Sequence, residues 1–152
     1  FSMGALMIRG ALSPPPDRAL GRVVMIGPPN RGGGHLADRE SRWMPLVFGP
    51  ALHDLHVGTE FIRELPEPDL PTGVIAGTRI FSPVNPSSWL RLVAGDREPG
   101  DGTVELRNTQ LDRPHDFIAL PVNHTFMARH PAVIRQTVHF LEQGGFASNA
   151  GP

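Results

Sequence analysis

The sequence predicts an α/β protein: a parallel sheet with flanking helices. Three apolar runs, RVVMI at 22–26, GVIA at 73–76 and FIAL at 117–120, have the length and continuity of strands covered on both faces, as strands of a parallel sheet are. Segments with helical spacing or helix-start signals alternate with these runs, and that alternation is the mark of an α/β architecture. The 17 glycines and 17 prolines punctuate the chain into short elements joined by many loops.

Residues 3–12, MGALMIRGAL, can form a short helix, with Leu6, Met7 and Ala11 near one face. Ser13 and the prolines at 14–16 end it, because proline cannot continue a helix and restricts the residue before it. The first strand follows and closes at Gly27, and PPNRGGG at 28–34 reads as loop. From about 31 to 70, residues such as Trp43, Phe48, Phe61 and Leu65 are scattered among prolines and charges. Short helices forming a cap-like excursion are expected there. The second strand leads into a long irregular stretch over 82–102. After the third strand, Pro131 sits at an N1 position and opens a last helix with Val133, Ile134, Val138, Phe140 and Leu141 as its apolar positions. Gly144 and Gly145 close that helix. Residues 1–146 thus read as part of one domain, and 147–152, ASNAGP, as a frayed tail.

Composition narrows the chemistry. The formal net charge of −1 and the mixing of both signs along the chain favour neither nucleic acid nor an anionic membrane as a partner. No apolar stretch approaches the roughly 20 residues that a membrane-spanning helix needs. With no cysteine, a disulfide framework, a thiolate nucleophile and a cysteine-based zinc site are excluded. His53 and His56 have a spacing that suits a metal pair, but their segment supplies no convincing further ligand. The glycines at 32–34 lack the Lys-Ser/Thr that a phosphate cradle would carry.

Three residues have the order of a nucleophilic triad. Ser2 lies in FSMG, just before the first helix, where a tight strand-to-helix turn would present a nucleophile; a plain N-cap serine is the simpler reading of this tetrapeptide alone. Asp101 lies in GDGTV, after the second strand and its excursion. His124 lies in PVNHTFM, directly after the third strand. Loops that follow parallel strands all open at the carboxyl edge of the sheet, so the order Ser, Asp, His on such loops lets the three side chains meet. Asp96 competes with Asp101 for the acid position but sits in AGDREPG, which reads as a surface turn. His115 and His130 compete with His124; one precedes the third strand and the other falls at the N-cap of the last helix. His35 and His139 read as surface or packing histidines.

Four stretches, FSMGALMIRG, VVMIGPPNRGGGHLAD, GDGTVEL and LPVNHTFMARHPAVIRQTVHFL, together resemble the triacylglycerol-lipase-like, esterase branch of the α/β-hydrolase superfamily. The resemblance implies the C-terminal part of an α/β-hydrolase fold that begins just before its nucleophile elbow. It implies Ser2, Asp101 and His124 as the catalytic triad and the backbone N–H of Met3 as one oxyanion donor. It also implies a small ester or lipid substrate, with no cofactor and no metal. In such enzymes a second oxyanion donor comes from an upstream loop, so residues 1–152 alone are expected to be inactive.

Overall fold

The computed structural model describes residues 1–12, 21–32, 62, 64–93, 95 and 97–148. Among them, three strands form one parallel sheet in the order β1 (Val23–Ile26), β2 (Thr72–Gly77) and β3 (Asp116–Leu120). Helix α1 (Gly4–Ala11) precedes β1, and α2 (Pro86–Val93) follows β2. Helices α3 (His124–Met127) and α4 (Pro131–Gln143) follow β3. The cap-like excursion expected over 31–70 falls mostly outside the described residues, as do Asp96, His35, His53 and His56.

Pairing register sorts the strand side chains into two layers. Met25, Val74 and Phe117 are aligned across the sheet, and so are Ile26, Ile75 and Ile118. Successive side chains on a strand point to opposite faces, so these rows lie on opposite sides. The first row packs with Ala5 of α1 and with Leu111. The second packs with Leu120, Val122, Met127 and Val133, bringing α3 and the start of α4 onto the other face. A shift of one residue in either pairing would exchange the layers.

The termini of α4 carry the signals read from the sequence. His130 is the N-cap, and its Nδ1 accepts from the Ala132 N–H; Pro131 follows at the first position. Gly144 ends the helix at φ +82°, a left-handed conformation that glycine adopts without steric cost. Of the five apolar positions of this helix, Val133 and Phe140 are buried, whereas Ile134, Val138 and Leu141 are exposed. Ala147 departs from the expected frayed tail: its N–H donates to the Gln136 carboxamide oxygen, and its carbonyl accepts from Gln136 Nε2.

Two further departures concern polar residues. The stretch read as irregular over 82–102 contains α2, which Pro86 opens and which turns Ser88 and Arg91 inward. In α1 the buried face is Ala5, Leu6 and Arg9, with Met7 outside. Arg9 is only 3% exposed. Its guanidinium donates to the carbonyls of Asn30, Leu65 and Pro66 and so ties α1 to the loop after β1 and to the segment before β2. Burial pushes the Arg9 guanidinium below its ordinary pKa, and Glu67 and Asp112 act in the opposite direction.

Two substitutions test this architecture. A Cβ on Gly73 would lie 2.8 Å from both the Phe140 and the Phe146 rings, so Gly73→Ala is expected to lower the free energy of unfolding by about 1–3 kcal/mol in urea titration. Arg9→Met strands the three carbonyls, at roughly 1–3 kcal/mol for each that water cannot reach, and Arg9→Lys recovers only part of the loss because an ammonium lacks the planar fork.

Candidate active site

The carboxyl edge of the sheet gathers the polar residues singled out in the sequence. Ser2 is held against the end of β1 by its own N–H, which donates to the Ile26 carbonyl at 2.8 Å. Its φ is +51°, the only left-handed value at a non-glycine among the described residues. For a residue with a Cβ this conformation costs roughly 1–2 kcal/mol and persists only where the surroundings impose it. Helix α1 starts two residues later, with Met3 as its N-cap and no side-chain cap. Among the described residues the Met3 N–H has no hydrogen-bond acceptor.

Asp101 is 1% exposed, and its loop orients it fully. One carboxylate oxygen, Oδ1, accepts from the N–H groups of Thr103 and Val104 at 2.9 and 2.8 Å, a tight turn that the Asp-Gly sequence favours. Gly102 sits at φ +94°, and a Cβ there would lie 2.1 Å from the Ile80 carbonyl oxygen, so no other residue fits beside the acid. The second oxygen, Oδ2, lies 2.7 Å from His124 Nδ1. The backbone repeats the connection, because the His124 N–H donates to the Asp101 carbonyl at 2.9 Å.

His124 begins α3, whose N-cap, Asn123, accepts from the Phe126 N–H. Its Nε2 lies 2.9 Å from Ser2 Oγ. The neutral tautomer that satisfies both contacts carries its proton on Nδ1, donates it to Asp101 and leaves Nε2 to accept from the Ser2 hydroxyl. The Phe1 ring covers one side of the imidazole, with centroids 5.0 Å apart at 35°. The histidine side chain is 12% exposed, so the pair sits near but not open to solvent.

Two glycines make room for this arrangement. A Cβ on Gly27, at φ +54°, would lie 3.3 Å from both Asp101 Oδ2 and His124 Nδ1. A Cβ on Gly77 would lie 2.6 Å from Asp101 Cβ and 2.5 Å from the Val122 carbonyl oxygen. Glycines at strand ends therefore let β1 and β2 approach the acid and base directly, a role the sequence signals only as chain punctuation.

Ser2, Asp101 and His124 are thus brought together, and the competing histidines are not. His115 donates from Nδ1 to the Arg113 carbonyl, before β3 begins, and His130 is occupied as a helix cap. His139 donates to the Gly145 carbonyl. Among the described residues, no group of three or more His, Cys, Asp or Glu side chains could hold a metal ion, and no helix is long and apolar enough to cross a membrane. No family model, no curated protein and no solved structure matches the chain.

The conformation of Ser2 yields a prediction independent of any reaction. Ser2→Gly relieves the left-handed strain and is expected to raise the free energy of unfolding by about 1 kcal/mol, measured by urea titration.

Proposed function

We propose that this chain belongs to a serine hydrolase of the α/β-hydrolase type that cleaves carboxylic esters of small acyl or lipid substrates. The observation that carries the reading is the continuous path from Asp101 Oδ2 through the His124 ring to Ser2 Oγ, with spacings of 2.7 and 2.9 Å, ending on a serine in a strained turn. A serine hydroxyl is a poor nucleophile by itself and needs an adjacent base, which is in turn oriented by a third group.

In this mechanism Ser2 Oγ attacks the acyl carbonyl while His124 Nε2 takes the hydroxyl proton. Asp101 holds the ring in the required tautomer and stabilises the imidazolium; it remains ionised. The carbonyl oxygen becomes an oxyanion that the Met3 N–H, at the start of α1, is placed in the sequence to serve. The tetrahedral intermediate collapses, His124 returns the proton to the leaving alcohol, and an acyl-Ser2 ester remains. Water, deprotonated by His124, then attacks that ester and releases the acid and the free serine. An amine leaving group or an acceptor alcohol in place of water would turn the same steps into amide hydrolysis or acyl transfer.

The test uses the protein expressed from its complete natural reading frame. Wild type is expected to react covalently with a fluorophosphonate probe at Ser2 and to hydrolyse p-nitrophenyl esters. Ser2→Ala is expected to abolish both while leaving the urea midpoint close to wild type, since the hydroxyl buries little apolar area. Turnover that survives in Ser2→Ala would place the nucleophile elsewhere, and a wild type inert to the probe would favour a binding protein that keeps the fold without the reaction.

A further inference from the structure

The segment between β2 and α2 reaches both loops of the acid–base pair, and the proposed chemistry leaves it without a role. It first runs beside the chain that leaves β3: the Thr78 N–H donates to the Leu120 carbonyl at 3.0 Å and the Arg79 N–H to the Val122 carbonyl at 3.1 Å. Asn123 Nδ2, one residue before His124, donates to the Phe81 carbonyl. The Ser82 and Thr125 hydroxyls are 3.1 Å apart, and Thr125 directly follows His124. At the other end, Asn85 Nδ2 donates to Thr103 Oγ1 at 2.9 Å. Thr103 supplies one of the two backbone donors to Asp101 Oδ1.

The turn that carries these contacts is locked from within. Ser88 Oγ lies 2.8 Å from the carbonyl oxygens of both Ser82 and Asn85, and it accepts from the Ser82 N–H at 3.1 Å. Ser82 and Ser88 are fully buried, and Asn85 is 8% exposed. Burying three polar side chains is unfavourable unless their hydrogen bonds are satisfied, and an apolar core would serve stability at least as well. What the polar turn adds is direction. One rigid piece of chain holds the residue after the base and the residue two beyond the acid.

We infer that the turn from Ser82 to Ser88 is a positioning clamp: through Thr125 and Thr103 it fixes the separation of His124 and Asp101. The inference rests on the serine-hydrolase reading for its effect on rate, and on geometry alone for its effect on the Asp101–His124 contact. The Ser82 and Asn85 side chains bond to Thr125 and Thr103, neighbours of His124 and Asp101, so both act through a neighbour. Displacements near 1 Å in such an arrangement can cost on the order of 100-fold in rate, so loss of one of the turn's side-chain contacts, Ser82–Thr125 or Asn85–Thr103, is expected to lower kcat by about 10-fold with KM little changed.

Two variants remove single hydroxyls while keeping side-chain shape: Thr125→Val on the histidine side and Thr103→Val on the acid side. Thr125→Ser and Thr103→Ser restore the hydroxyls. In the natural full-length protein, both valine variants are expected to lower kcat and to move the downfield NMR resonance of the proton between His124 Nδ1 and Asp101, and both serine variants to return each reading toward wild type. Asn85→Ala combined with Thr103→Val should cost less than the sum of the two alone, since one bond is common to both. Valine variants with unchanged kcat and an unmoved resonance would overturn the clamp, even with a lowered urea midpoint. Should the wild type hydrolyse no ester, a resonance moved by the valine substitutions would uphold the clamp while rejecting the hydrolase reading, and an unmoved one would overturn the clamp. If Asn85→Ala fails to fold, the two valine variants decide the matter alone.

Discussion

Strand β2 has a paired strand on each side and packed side chains on both faces, and every residue from Thr72 to Gly77 is buried. The rest of the structure is referred to this strand. Its register with β1 and β3 decides which apolar row meets α1 and which meets α3 and α4. Its carboxyl end, at Gly77, is where the acid approaches closely enough that a methyl group would not fit. Because all three strands run the same way, the loops that leave them open at one edge. Convergence of Asp101 and His124 is thus a consequence of parallel pairing, and Ser2, which precedes α1, joins them through its N–H on the Ile26 carbonyl at the end of β1.

Apolar pattern and turn chemistry made much of this arrangement legible. The three strands lie where the continuous apolar runs fall, but only β2 is buried along its whole length, as such a run implies, whereas β1 and β3 are only partly covered. Pro131 and Gly144 mark the ends of α4 through backbone conformations that are local properties of those residue types. The places of Asp101 and His124 were readable for the same reason: strand-end loops in a parallel sheet share an edge, whatever lies between them.

What stayed hidden were polar residues whose partners are distant in sequence. Arg9 is buried because carbonyls of Asn30, Leu65 and Pro66 surround it, and no spacing rule connects position 9 to position 65. Helix α2 has no legible signature because its inward side carries Ser88 and Arg91, so the apolar periodicity of an ordinary surface helix is inverted. The roles of Gly27 and Gly77 were equally invisible: a glycine required by a neighbouring side chain looks the same in sequence as one required by a turn.

Asp101 and His124 are joined twice, by the side-chain contact and by the His124 N–H on the Asp101 carbonyl. The second link does not involve the imidazole. Removal of the ring would therefore leave the two loops stapled together around a vacated, flat-sided space, walled by the Phe1 ring, with a carboxylate oxygen at one end and the Ser2 hydroxyl at the other. The backbone staple thus ties the two loops together independently of the ring that lies between Asp101 and Ser2.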